Sequence, residues 1–364
     1  MSMRLDTLAH GITQVSPEHA ELLIEGIASD SRQAKRGFLF AAIPGGQADG
    51  AKFAASAVSN GAVAMLAGSD AVIEVPAGTP VLRADNPRLA LSLMAARFHA
   101  PQPDIVVAVT GTNGKTSVAS FVRQLWAALG FEAASLGTIG VVTPRGTKVL
   151  RHTTPEPIEL HGLLAELAKD GITHLALEAS SHGLQQRRID GVTLAAGAFT
   201  NISRDHLDYH ATFEDYFTQK LRLFTTLLAP GAAAVIDMDG EGSARVADAA
   251  KASKLEVMTV GRAGETLRLV SNDIDGFAQV LGIEHGGKRL DVRLPLVGGF
   301  QAANALVAAG LVMATGANAA DVLPHLETLQ GARGRLDLGL VRVGPAGMSL
   351  RVGEPGVRKF NKQI

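Results

Sequence analysis

The run Ile105-Val-Val-Ala-Val-Thr-Gly-Thr-Asn-Gly-Lys-Thr-Ser117 constrains the fold of this chain more than any other stretch. Ile105 to Val109 are apolar and mostly β-branched, which predicts a buried strand. Gly111 and Gly114 let the backbone turn tightly and approach a ligand. Lys115 and Thr116 then open a helix, whose free N–H groups attract phosphate. A lysine and a hydroxyl at that point suit a nucleoside triphosphate and its Mg²⁺. The common G-x-x-x-x-G-K-[ST] loop would put its first glycine at Val109, so this loop is a shorter variant. An ordinary strand-to-helix turn with a surface lysine is the plainer reading. Against it, both glycines, Lys115 and Thr116 all stand where phosphate binding needs them.

From 105 to about 335, helices alternate with short apolar strands. Candidate strands are Ile105–Val109, His174–Leu177, Ala198–Ile202, Ala232–Ile236 and Val257–Val260. Such alternation predicts a largely parallel sheet with helices on both faces, and ligands gather at the carboxyl ends of its strands. Residues 265–297, with Gly-Gly at 286–287, read as an antiparallel hairpin region, and helices over 301–314 and 319–329 close the unit. Residues 1 to about 99 read as a smaller α/β unit. Its strands are Phe38–Ile43 and Val63–Leu66, and its helices Phe53–Ser59 and Pro87–His99. Pro44 to Gly50 is a glycine-rich loop, and Pro101 and Pro103 mark a linker.

The length of 364 residues suggests two or three domains. A net charge of −1 argues against broad nucleic-acid binding, and 4% aromatics against base stacking as a theme. The chain has no cysteine, which removes disulfides and thiolate metal sites. No signal-peptide core or membrane-length apolar run stands out, so the expectation is a soluble cytoplasmic α/β protein with small-molecule partners, no nucleic acid and no membrane.

The strand-end rule singles out Glu178, a carboxylate able to hold Mg²⁺ or to cap a helix. Ser180, Ser181 and His182 follow it. Asn201 to His210 carries two histidines, two aspartates and an arginine, more than a solvated turn needs. Lys220 shares a helix face with Phe217 and Phe224, and periodicity favours a lysine that snorkels to water. Gln186 and Arg188 lie either in a solvated charge patch or in an anion-binding arm.

These residues resemble the Mur ligases, ATP-dependent peptide ligases of cell-wall synthesis. The loop G-T-N-G-K-T, T-T-P at 153–155, E-A-S-S-H-G-L at 178–184 and T-N-I-S-R-D-H-L-D-Y-H at 200–210 carry the likeness. Within the family they look like the members that add diaminopimelate. Ser29-Asp-Ser-Arg32, Gly37, Gly45 and Asp49-Gly50 resemble the uridine-nucleotide-binding domain. The resemblance implies a UDP-substrate domain over 1–99, a P-loop-type central domain with a mostly parallel sheet over 100–337, and a non-family tail over 338–364. It also implies residue roles. Gly111, Thr112, Asn113, Gly114, Lys115, Thr116 and Ser117 would take ATP, with Asn304 on the adenine side and Arg335 at the domain junction. Thr116, Glu178, His206 and a carbamylated Lys220 would serve Mg²⁺. Ser29, Ser31, Gly46, Gln47 and Ala48 would contact the UDP part, and Thr153, Thr154, Ser180, Gln186 and Arg188 the muramoyl dipeptide.

The family's third domain is expected soon after Asp337, and nothing from Gly339 onward resembles it. The tail is too short for a domain, so the expectation is that the third domain is absent. An active ligase therefore competes with a silent fragment that binds ATP and UDP-muramoyl dipeptide, and a lysine-adding ligase is a further alternative. Asp85-Asn-Pro-Arg88 spells the motif with which this family grips diaminopimelate. Here it precedes the phosphate loop, and it reads as a helix N-terminus with Asp or Asn as cap and Pro in the first turn, without a substrate role.

Overall fold

The computed structural model describes residues 2–45, 49–205 and 209–332, and the backbone of a hairpin over 338–343 and 347–352. At the N-terminus a two-stranded ribbon, β1 (Met3–Arg4) with β2 (Leu23–Ile24), flanks α1 (Leu5–Ala9). Strands β3 (Gly26–Ala28), β4 (Phe38–Ala42), β5 (Ala62–Gly68) and β6 (Val81–Ala84) then form an all-parallel sheet in that order, with α2 (Ala54–Ser59) between β4 and β5. Alternating side chains feed two cores. Leu39 and Ala41 pack with α1 and the helix α3 (Pro87–His99), while Phe40 and Ala42 pack with α2. The α3 start matches the sequence reading. Pro87 occupies the first turn and the Asn86 carboxamide accepts from the Leu89 N–H at 3.0 Å.

The second lobe contains β7 (Ile105–Thr110), α4 (Lys115–Ala128), β8 (Ala133–Gly137), β9 (Gly140–Thr143), β10 (Gly146–Lys148), α5 (Pro157–Lys169), β11 (His174–Glu178) and α6 (Ser181–Gln185). It continues with β12 (Ala196–Phe199), α7 (Phe213–Arg222), β13 (Ala233–Asp237), α8 (Ser243–Ala252), β14 (Glu256–Gly261), β15 (Leu267–Asp275), β16 (Ala278–His285), β17 (Lys288–Leu294), α9 (Gly299–Ala314) and α10 (Ala319–Val322). The strand order is β10-β9-β8-β11-β7-β12-β13-β14-β15-β16-β17. The run from β8 to β15 is parallel, and the pairings outside it at both edges are antiparallel. β7 lies between β11 and β12, with both faces covered, as its unbroken apolar sequence predicts. Val107 and Val109 face α4 and α9, and Val106 and Ala108 face α5 and α7. β18 (Leu338–Val343) and β19 (Gly347–Val352) pair antiparallel.

Three expectations need correction. The strand expected at Ala198–Ile202 occupies Ala196–Phe199, because Thr200 and Asn201 leave the ladder to brace the phosphate loop. The antiparallel hairpin region is a three-stranded meander, β15 to β17, whose first strand joins β14 in parallel and extends the sheet to β17. The helix expected at 319–329 is short α10 followed by a 3₁₀ segment, Leu323–Thr328, where Pro324 has no N–H for an α-helical ladder.

The lobes meet where α3 packs along α5. Buried Ser92 of α3 donates from Oγ to the carbonyl of Asp190. Gly191, at φ +95°, permits the close approach, since a Cβ there would lie 2.9 Å from that of Ala96. Among the described residues no helix is long and apolar enough to cross a membrane.

Candidate active site

The turn after β7 puts Gly111 and Gly114 at φ +148° and +88°, conformations that favour glycine. A Cβ on Gly111 would collide with Thr200 Oγ1, and one on Gly114 with Asn304 Oδ1. The end of β12 braces this turn. Thr200 Oγ1 donates to Asn113 O at 2.6 Å, Thr112 N donates to Asn201 O at 2.8 Å, and Asn113 N donates to Asn201 Oδ1 at 3.1 Å. Lys115 curls over its own loop, donating to Gly111 O and Thr112 O at 2.8 Å each. The loop is thus pre-shaped, with the α4 N-terminus directed at one spot.

Glu178 at the end of β11 faces that spot and is 2% exposed. Its carboxylate accepts from Thr116 Oγ1 at 3.1 Å, Thr138 N at 2.9 Å and Thr138 Oγ1 at 3.1 Å. A buried carboxylate and a hydroxyl at a phosphate loop form the oxygen-rich donor set that suits Mg²⁺. Among the described residues no group of three His, Asp or Glu side chains makes a ready metal site. Thr138 escaped the sequence reading because β8, Ala-Ala-Ser-Leu-Gly, lacks β-branched residues. A turn signal, Gly-Thr-Ile-Gly, does follow it.

Lys220 overturns the snorkelling expectation. It is 1% exposed, and its Nζ donates to Gly111 O at 2.7 Å and lies 4.4 Å from the centre of the Tyr216 ring. Burial, and secondarily Lys115, hold its pKa well below the usual lysine value. Burial also raises the Tyr216 hydroxyl to about 12, and that hydroxyl lies 3.0 Å from Thr112 Oγ1. Lys115, Thr116, Glu178 and Lys220 line one cavity of about 610 Å³.

Thr153, Thr154, Ser180 and Arg188 line the same cavity. Thr154 Oγ1 donates to Glu178 O at 2.8 Å and lies 3.0 Å from Ser180 Oγ, which caps α6 by accepting from Gly183 N. Arg188 donates to Thr154 O at 2.7 Å, pairs with Glu156 at 2.6 Å, and is held by Gln186 Oε1 at 2.8 Å. Arg188 therefore reaches the cavity, while Gln186, which does not line it, holds the Arg188 guanidinium and donates from Nε2 to the Tyr209 hydroxyl at 2.8 Å. Between them Arg187 adopts φ +59°, and its guanidinium lies 3.3 Å from Asp190, which also pairs with Arg222 of α7 at 2.8 Å. Of the 201–210 loop, Tyr209 stacks on His182 with centroids 3.7 Å apart. His210 is buried with Nδ1 3.2 Å from Asp215 Oδ2, and it does not line the cavity.

A second cavity, about 900 Å³, opens on the other side of the loop. Ser117 and Asn304 line it, joined by Phe300 and Asp237, which the sequence reading did not select. Burial raises the Asp237 carboxyl to about 6. The strand-end rule points to Asp237, which closes β13. Ser29 and Ser31 lie in the first lobe just beyond β3, and Ser31 O accepts from Asn60 Nδ2 at 2.9 Å. Gly46, Gln47, Ala48, His206 and Arg335 fall outside the described residues.

A phosphate loop at the carboxyl end of a central parallel strand, faced by a buried carboxylate, defines a nucleotide-binding α/β protein. Comparison with known proteins narrows the class. The Mur ligase middle domain matches residues 109–312, and the Mur ligase family catalytic domain matches residues 23–99. The UDP-N-acetylmuramoyl-L-alanyl-D-glutamate–2,6-diaminopimelate ligase of Brucella melitensis is 54% identical over 321 residues, covering 88% of this chain and 66% of that protein. The protein of the same name from Bradyrhizobium diazoefficiens is 51% identical over 341 residues, covering 92% and 69%. A solved structure of a ligase with this name superposes with a TM-score of 0.83 at 26% identity, covering 94% of this chain and 69% of the other. The chain belongs to the Mur ligase family. It spans about two thirds of the length of these relatives.

Proposed function

We propose that this chain carries the nucleotide- and UDP-substrate-binding portion of an ATP-dependent ligase that adds meso-diaminopimelate to UDP-N-acetylmuramoyl-L-alanyl-D-glutamate in the cytoplasm. The observation that carries the proposal is the convergence of Lys115, Thr116, Glu178 and Lys220 on one cavity that also holds Thr154, Ser180 and Arg188. Relatives at 51–54% identity bear the corresponding name.

In the proposed reaction the side-chain carboxylate of the D-glutamyl residue attacks the γ-phosphate of ATP, forming an acyl phosphate and releasing ADP. The incoming amine then attacks the acyl carbon and phosphate leaves. Lys115 and the α4 N-terminus neutralise the transferring phosphoryl group. Arg188, Thr154 and Ser180 hold the dipeptide so that its carboxylate meets the phosphate loop. Mg²⁺, when bound, would supply further neutralisation of phosphoryl charge, and Thr116, Glu178, His206 and a carbamylated Lys220 are the residues that would hold it. Carbamylation of Lys220 requires an unprotonated amine, and the buried position of Lys220 favours that form. The carbamate is an anion and turns a lysine into an oxygen ligand. Asn304, Ser117 and Phe300 are assigned to the adenine, and Ser29, Ser31, Gly46, Gln47 and Ala48 to the uridine nucleotide.

The test is a ligation assay with Mg·ATP, UDP-muramoyl-L-alanyl-D-glutamate and either diaminopimelate or lysine, following ADP and product mass. A product carrying one diaminopimelate supports the proposal, and a product carrying lysine replaces its amino-acid assignment. Protein that binds both nucleotides without forming product is a binding fragment.

A further inference from the structure

Asp85-Asn-Pro-Arg88 is the one motif that neither the fold nor the proposed reaction fully uses. Asn86 and Pro87 are accounted for by the helix start. Arg88 is not. The four strands β3 to β6 of the first lobe's sheet run parallel, so the segments after β3, β4 and β6 emerge on one edge. Those segments carry Ser29 and Ser31, then Pro44, then Arg88. The Arg88 guanidinium donates to Pro44 O at 2.5 Å, which anchors it at that edge. Among the described residues no carboxylate lies within ion-pairing distance of it. Across the lobe boundary Arg88 is in electrostatic range of Arg188, whose own charge is met by Glu156, with Glu159 further off. Arg88 is thus a half-buried cation, without an acidic partner among the described residues, between the uridine-side edge and the dipeptide arm.

We infer that Arg88 binds the diphosphate of the uridine-nucleotide substrate. This rests on the proposed function. A nucleotide whose uridine lies at the first-lobe edge and whose peptide lies against Arg188 carries its diphosphate between them. That diphosphate is the anionic group available to a cation at this position. A planar guanidinium tied to a backbone carbonyl keeps N–H groups free for phosphate oxygens.

Titration calorimetry with uridine, UMP, UDP and UDP-muramoyl-L-alanyl-D-glutamate on wild type, Arg88→Gln and Arg88→Lys tests this. Arg88→Gln is expected to weaken UDP and the full substrate by about ten- to a hundredfold, the usual worth of a charge-assisted hydrogen bond. Uridine and ATP affinities stay unchanged, and Arg88→Lys recovers part of the loss. Equal UDP binding by wild type and Arg88→Gln overturns the inference. So does an equal loss for uridine, which marks a structural role through Pro44. Wild-type protein that binds none of the uridine compounds overturns the proposed function and the inference together.

Discussion

Lys220 donates from Nζ to the carbonyl oxygen of Gly111 at 2.7 Å, joining helix α7 to the phosphate loop across 109 positions of sequence. The bond places the amine inside the cavity where phosphoryl transfer is proposed. Burial favours the neutral form of this amine, the form that reacts with carbon dioxide and that a permanently charged side chain does not offer.

Lys220→Arg is therefore expected to lower the ligation rate by about 10²-fold or more, the scale for losing one electrostatic contributor to a transition state. Wild-type protein in ¹³C-bicarbonate should show a carbamate carbon signal that Lys220→Arg lacks. The same signal in both proteins would place the modification elsewhere.

Glu178 accepts three hydrogen bonds, so Glu178→Ala strands the Thr116 and Thr138 donors and should cost about 1–3 kcal/mol of folding stability in urea unfolding. Glu178→Gln keeps one acceptor oxygen for the Thr138 N–H, and its amide can donate to the Thr116 and Thr138 hydroxyls, so it should fold nearly normally, while its ATP affinity loses its dependence on Mg²⁺. Unchanged Mg²⁺ dependence in Glu178→Gln would remove this residue from the metal site.

Gly114 stands at φ +88° with Asn304 Oδ1 where a Cβ would go. Gly114→Ala should cost about 1–2 kcal/mol from the left-handed backbone alone, and weaken ATP as Asn304 is displaced. In Gly114→Ala/Asn304→Ala the collision is gone. A double-mutant cycle of stabilities should thus show a favourable coupling, and strict additivity would mean the residues do not meet.

Asp237, raised to about 6 by burial, makes a signed pH prediction. Its folded pKa lies above the unfolded one, so the folded state holds the proton more tightly. The stabilisation is fully present below about pH 4 and is lost as pH rises through about 6. Two units correspond to an effect on the order of 3 kcal/mol. Asp237→Asn should thus gain stability relative to wild type above pH 6 and none below pH 4. A stability difference constant from pH 4 to 7 would contradict the raised pKa.

Much of this was legible in advance. The β-branched run at Ile105–Val109, followed by two glycines, identifies β7 and its loop, and the strand-end rule leads directly to Glu178. Residues whose role depends on a distant partner were not legible that way. Helical periodicity registers that Lys220 lies on an apolar face, yet says nothing of a carbonyl arriving from position 111. Thr138 follows a strand made of small residues, and small residues carry little strand signal. Thr200 and Asn201 stop being strand because they serve the neighbouring loop, a tertiary demand that overrides local propensity.

The junction of α3 and α5, buttoned by Ser92 on the Asp190 carbonyl, fixes the span between Arg88 and Arg188. Two sheets with separate cores thereby act as the jaws of a caliper set to one opening. A ligand that is too short can satisfy either jaw but not both. Under the proposed function, the chain would then reject truncated precursors by measuring length, without any side chain devoted to excluding them.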